Sequence, residues 1–205
     1  MKKLILVLIV MAAASVTMAG PTLLFIEAFE NDNLDQWIGK PNQDHHGQIV
    51  ADPTGIDNNV LNFTETNTAG DIFTSNRISN ANAPITISFD YYGEVKGNGF
   101  LGIELDNGDR IWLAGDSTSW SPPEDKPRLL ELANNGSWGN YEIEVSPAYD
   151  FSIMIEDLGY DGNFTASDAY FDNIRVTAVV PVPGAFLLGG IGVGIVGWVK
   201  RRRCL

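Results

Sequence analysis

Strict two-residue alternation limits what this chain can fold into. Ile85-Thr86-Ile87-Ser88-Phe89-Asp90-Tyr91 sets apolar and polar side chains in turn without a break, and Tyr141-Glu142-Ile143-Glu144-Val145 repeats the pattern. Phe151-Ser152-Ile153-Met154-Ile155-Glu156 follows it apart from Met154. Successive side chains of a strand point to opposite faces, so this period buries one face and wets the other, whereas a helix would need a period of about 3.6. Weaker strand signals cover Leu23 to Phe29, Gln48 to Ala51, Val60 to Thr64, Ile72 to Thr74, Phe100 to Leu105, Arg110 to Ala114 and Ala169 to Ala178. Turn chemistry separates them at Asp52-Pro53-Thr54-Gly55, Asp106-Asn107-Gly108-Asp109, Asn134-Asn135-Gly136 and Asp161-Gly162-Asn163. Asp106 to Asp109 lies between two apolar runs and reads as a hairpin turn. About ten short strands without a helical period predict an all-β fold, an antiparallel jelly-roll β-sandwich.

The two ends are built differently from the body. Met1-Lys2-Lys3 is a charged start, Leu4 to Ala14 is apolar, and Thr17-Met18-Ala19 ends in small residues. That order predicts a secretory signal helix over residues 1–19. Residues 20–180 then form one exported domain, long enough to bury a real core. Residues 181–205 run from Pro181-Val182-Pro183-Gly184 through an apolar stretch, Ala185 to Val199, to Lys200-Arg201-Arg202-Arg203 and Cys204-Leu205. Trp198 suits a membrane interface, and cations at a helix end mark the cytoplasmic side. Gly184 to Val199 is short against the usual ~20 residues of a spanning helix, and snorkelling of Lys200 lengthens its reach. The segment predicts a C-terminal transmembrane helix, read either as a sorting signal or as a plain anchor that is never cut.

The order of that tail resembles the bacterial PEP-CTERM segment, in which a Pro-Glu-Pro motif precedes a membrane helix and an Arg-rich end. Pro181, Val182 and Pro183 stand at the motif, with Val182 where the family has Glu, and Arg201, Arg202 and Arg203 at the basic end. The resemblance covers this tail alone. It implies an exosortase-type processing enzyme as partner, anchoring of the precursor in the membrane, and a final place at the cell surface or outside it, in a cell that makes exopolysaccharide or biofilm.

Charge sorts by segment. The chain carries 13 basic and 26 acidic residues. Six of the basic ones lie in the leader and tail and none of the acidic ones do, so the body has a net charge of −19. Such a surface repels nucleic acid, anionic lipid and anionic polysaccharide, which leaves a neutral polysaccharide as the expected glycan partner. Most of these carboxylates serve solubility. The single cysteine, Cys204, lies beyond the apolar stretch, so no disulfide holds the body.

Phe29-Glu30-Asn31-Asp32-Asn33-Leu34-Asp35-Gln36-Trp37 resembles the opening of galactose-binding-like and carbohydrate-binding sandwiches. Ala169-Tyr170-Phe171-Asp172-Asn173-Ile174-Arg175-Val176 resembles their closing strand, and the middle, around Trp138 and Tyr141, resembles the laminin B domain more loosely. In such sandwiches an acidic residue of the first strand and one of the last share a structural Ca2+. The resemblance places Glu30 and Asp172 there, with Glu27 and Asp52 as additions, and oxygen-only ligands suit calcium. By parity Asp172 shares the inward face of Ile174, Val176 and Ala178, and an inward carboxylate needs hydrogen bonds, a cation or a wet sheet end. The competing reading has Asp172 capping backbone amides near a bulge.

Three tryptophans are the leading candidates for binding. Trp112 alternates out of phase with Ile111 and Leu113, Trp120 lies in the loop Ser117 to Pro127, and Trp138 follows Asn135-Gly136-Ser137. A flat ring beside Asp and Asn offers a sugar a stacking surface and hydrogen-bond partners. The alternative for Trp112 and Trp138 is the core, and Trp120 is the one expected to be exposed. Catalytic sets are weak. His45 and His46 are the only histidines and would point to opposite faces of a strand. Glu104 and Asp106 are the nearest carboxylate pair for a glycosidase, and they more simply end a strand at its turn. Asn62, Asn135 and Asn163 begin glycosylation sequons, a pattern that arises by chance in an Asn-rich chain. The residues read as a non-enzymatic glycan-binding surface or matrix protein. The alternatives are a purely structural coat protein without sugar affinity and a glycoside hydrolase-like sandwich.

Overall fold

The computed structural model describes residues 20–39, 47–63, 70–79, 83–94, 99–115, 129–157 and 169–178. The leader, the tail, His45, His46 and Trp120 lie outside the described residues. Those described form strands and turns without a helix. The strands are β1 (Thr22–Glu27), β2 (Trp37–Ile38), β3 (Gly47–Ala51), β4 (Asn59–Phe63), β5 (Gly70–Thr74), β6 (Ile85–Gly93), β7 (Gly99–Leu105), β8 (Arg110–Gly115), β9 (Leu130–Glu131), β10 (Gly139–Val145), β11 (Phe151–Asp157) and β12 (Ala169–Ala178). Leu23–Ala178 is one compact unit.

Two six-stranded sheets make the sandwich. One runs β10-β6-β12-β4-β3 with β1 also paired to β12, and the other runs β2-β5-β11-β7-β8-β9. Every pair of known direction is antiparallel except β8–β9, which is parallel. The stretch between Gly115 and Leu130 is long enough for the crossover that a parallel pair requires. The two-residue strands β2 and β9 carry no periodicity of their own and escape a sequence reading. Pairing with β5 and β8 creates them.

The alternating segments behave as their pattern requires. Ile85, Ile87, Phe89 and Tyr91 of β6 are at most 1 % exposed, while Thr86, Ser88, Asp90 and Tyr92 are half-buried on the other face. Phe89 and Tyr91 pack on the Phe171 ring, and Leu61, Leu101, Ile103, Ile153 and Ile155 are fully buried as well. Each such side chain contributes roughly 1.5–3 kcal/mol by leaving water. Gly99 is required by this packing, because a Cβ there would run into the Tyr91 and Phe171 rings.

Two bulges interrupt the sheets, and the one in β12 overrules parity. In β8, Leu101 pairs with Ala114 and Gly102 with Trp112, so Leu113 is the extra residue. Trp112 lies before that bulge and keeps the face opposite Ile111, as its parity gives; it is nonetheless only 7 % exposed, because that outer face carries a second apolar cluster of Phe73, Phe100, Trp112 and Met154. In β12, Asp172 pairs with Asp90 and Arg175 with Ser88, so Asn173 and Ile174 together oppose one residue of β6. Asn173 takes a φ of 50°, a left-handed conformation that asparagine tolerates better than most residues. Asp172 consequently shares the outer face with Tyr170 and Arg175, not the inner face of Ile174 and Val176.

Candidate functional site

The outer face of the β10-β6-β12-β4-β3 sheet gathers polar and aromatic side chains that the core does not use. β6 supplies Tyr92 and Asp90, and β12 sets Tyr170 opposite Tyr92 and Asp172 opposite Asp90. On β10, Asn140 lies opposite Asp90, and Trp138 immediately precedes that strand. Tyr92 sits 5.7 Å from Trp138 at 54° and 5.6 Å from Tyr170 at 82°, centroid to centroid. All three rings are half-buried. They form a faceted aromatic row across three strands, continued by Asn62, which donates to the Ala169 carbonyl at 3.0 Å, and by Gln48, which donates to Asn62 at 3.3 Å.

A polar row lies beside the aromatic one. Asn140 and Asn173 each donate through Nδ2 to Asp90 at 2.8 Å. Asn58 donates to Asp172 Oδ2 at 2.9 Å, Asn173 Nδ2 reaches the same oxygen at 3.2 Å, and the Asn173 amide donates to Oδ1 at 2.7 Å. Asp172 is only 3 % exposed. Burial pushes its carboxyl above the ordinary value, the amide donors of Asn58 and Asn173 oppose the rise, and the negative charges of Asp90 and Glu30 add to it.

The β3–β4 turn bears on the same face. Asp52, 6 % exposed, accepts the Thr54 amide at 2.7 Å and the Thr54 hydroxyl at 2.6 Å. Burial alone would raise its pKa, but Thr54, Trp138 and Asn58 outweigh that and hold it below the ordinary value. The Trp138 indole nitrogen is buried without an acceptor at hydrogen-bond geometry. Its contact with Asp52 is too loose for a hydrogen bond, yet the N–H dipole still favours the charged carboxylate.

Glu27 serves another part of the fold. Its Oε1 accepts the amides of Ala28 at 3.1 Å and Phe29 at 3.0 Å, and its Oε2 accepts Gln36 at 3.0 Å and the Trp37 indole at 3.3 Å. Of the four residues expected near calcium, Glu30 and Asp172 sense each other electrostatically, Asp52 lies close to them through Asn58, and Glu27 is occupied by its own loop. Among the described residues no three His, Cys, Asp or Glu side chains converge as a metal-holding group. A calcium ion would therefore draw most of its six or more oxygens from carbonyls, amides and water.

The Glu104–Asp106 pair is not set up for glycoside hydrolysis, since both carboxylates are held by arginines. Glu104 is bound to Arg110 at 3.0 Å and Arg77 at 3.4 Å, and Asp106 to Arg77 at 3.1 Å. Asp172 has the raised pKa of a general acid, but it is buried and each of its oxygens already accepts an amide. It has no path to a leaving group. Among the described residues, Trp138 is the tryptophan of the sequence reading that reaches this face. Tyr92, Tyr170, Asn140 and Asn173 were missed, because only strand pairing aligns them; the alternation of β6 could have flagged Tyr92.

No protein-family model matches the sequence, and no curated protein is similar to it. Solved structures are similar in fold. The xylan-binding CBM22-1 domain from Paenibacillus barcinonensis superposes with a TM-score of 0.51 and 12 % identity, over 80 % of this chain and 98 % of that one. A two-module xylanase fragment from Clostridium thermocellum, solved with xylohexaose, superposes with a TM-score of 0.52 and 12 % identity, over 78 % of this chain and 29 % of that one. The K1 cleaved adhesin domain of Lys-gingipain from Porphyromonas gingivalis gives 0.50 and 13 %, over 77 % and 98 %. The body has a fold like that of carbohydrate-binding modules. Identities this low establish the two-sheet jelly roll and carry no ligand with them.

Proposed function

We propose that this chain is an exported, non-catalytic glycan-binding protein of the cell surface or extracellular matrix. The observation that carries the reading is the half-buried row Trp138–Tyr92–Tyr170 beside clamped Asn and Asp side chains, on the outer face of a sandwich of carbohydrate-binding-module type. Stacking rings supply affinity for pyranose faces, and the fixed amides supply hydroxyl partners. The acidic body turns anionic polysaccharides away. A glycan array on the full chain tests this, with Tyr92→Ala, Trp138→Ala and Trp120→Ala as variants. Saturable binding that is lost in Tyr92→Ala or Trp138→Ala, with melting behaviour retained, is the expected result. A folded chain that binds no glycan leaves a structural coat or matrix protein.

Export and sorting are part of the proposal and rest on residues 1–19 and 181–205. The order Pro181-Val182-Pro183, apolar stretch, Arg201-Arg202-Arg203 supports processing by an exosortase-type enzyme. Intact-mass measurement on the mature protein distinguishes cleavage near Pro183 from a retained anchor, and recovery only from the cytosol sinks the export reading. A structural Ca2+ between Glu30 and Asp172 is supported by the negative potential that Asp90 and Glu30 place on Asp172, which a cation would relieve.

A further inference from the structure

The hydrogen-bonding polarity of the outer face narrows its ligand, on the reading that this face takes glycans. A carboxylate can only accept, so the carboxamides around Asp90 and Asp172 turn their nitrogens toward them. Asn140 and Asn173 point Nδ2 at Asp90, and Asn58 points Nδ2 at Asp172. Both Asn140 and Asn173 are exposed, and their Oδ1 atoms are thereby directed away from Asp90. The donors of this cluster are largely consumed and its acceptors are presented. Charge points the same way. Asp52, Asp90, Asp172 and Glu30 lie together, and Glu142 is exposed one step along β10. Arg175, opposite Ser88, brings a single positive charge to the next step of β12. Asp90 and Tyr92 are two residues apart on one strand face, roughly 6.6 Å, within reach of a substituent on a ring stacked against Tyr92.

We propose that this face selects basic glycans, polysaccharides with free amino groups such as glucosamine units. The ammonium docks on Asp90 between the Oδ1 atoms of Asn140 and Asn173, and the pyranose ring lies against Tyr92 and Trp138. An ammonium supplies three donors to a cluster of acceptors, and the neighbouring rings attract cations as well. Uronic and sulfated sugars bring acceptors and negative charge, and are refused on both counts.

The test compares two oligosaccharides of equal length, all-glucosamine and all-N-acetylglucosamine, on the full chain. Binding is measured at a pH of about 6, where the amine is protonated, at physiological ionic strength and in EDTA. The glucosamine form is expected to bind roughly tenfold tighter or more, the range of a charge-assisted hydrogen bond. Asp90→Asn is expected to erase that preference. Asp106→Asn, which removes the same charge from the other sheet, is expected to keep it. Equal losses in the two variants would mean attraction to the acidic body at large and overturn the site. Equal or tighter binding of the acetylated form overturns the selectivity and leaves the glycan reading standing. Binding of neither oligosaccharide, nor of any neutral polysaccharide, overturns both. The ratio on the unaltered chain decides even where Asp90→Asn fails to fold.

Discussion

Removing the Glu27 carboxylate should loosen the entry to the sandwich by an amount that its hydrogen bonds set. Glu27 is 7 % exposed and receives four donors. Two of these, the Phe29 amide and the Trp37 indole N–H, are themselves buried. Gln36 is exposed and finds water on its own. Phe29 is held at a φ of 52°, a costly conformation for an aromatic residue, while its ring stacks on Trp37 at 5.9 Å. In Glu27→Ala the two buried donors lose their acceptor at about 1–3 kcal/mol each, partly offset because a charge is no longer buried. A net loss of roughly 3 kcal/mol corresponds to a fall in Tm of about 6–12 °C for a domain of this size. Glu27→Gln keeps one oxygen for the two amides but turns an NH2 toward Gln36 and Trp37, so a loss between zero and the alanine value is expected. Thermal melts with far-ultraviolet circular dichroism, in EDTA and in calcium, provide the assay. A fall below about 2 °C would show that water replaces the carboxylate, and a fall seen only in calcium would make Glu27 a metal ligand; either result refutes the clasp.

The remaining expectations concern Asp52, Asp172, Trp112 and calcium. The raised pKa of Asp172 gives a stability contribution that is full below 3.8 and is lost as pH rises through the folded-state value, so the parent should gain on Asp172→Asn as pH is lowered. Asp52 has the opposite sign: its contribution is present above 3.8 and lost as pH falls through the lowered value, so the parent's advantage over Asp52→Asn should shrink on acidification. Chemical denaturation across pH checks both, and parallel slopes would contradict the assignment. Trp112→Ala should cost about 3–5 kcal/mol, as truncation of a buried aromatic does, and should leave glycan affinity per folded molecule unchanged. Calcium should raise the melting temperature of the depleted chain, and Glu30→Gln should abolish the rise; an unchanged melt rules out a stabilising site.

Much of the architecture was legible in the residues because burial on one face writes itself into the chain at period two. Ile85 to Tyr91 and Tyr141 to Val145 were readable as strands, and the composition excluded a disulfide-held body. The leader and tail are arguments of sequence alone. Register is another matter, since it belongs to pairs of strands and not to either one. A bulge adds one residue and reverses every side chain beyond it, with no local mark in the sequence. Parity put Asp172 inside, and the bulge at Asn173–Ile174 moved it to the outer face. Parity kept Trp112 on the right face, opposite Ile111, but could not show that this face is itself covered, with Phe73, Phe100 and Met154 around the ring. Tyr92, Tyr170 and Trp138 are separated by dozens of residues and become one row only because β6 lies between β10 and β12. Alternation determined which segments are strands; only the pairing of strands decided which side chains share a face, because hydrogen bonding between distant segments sets the register.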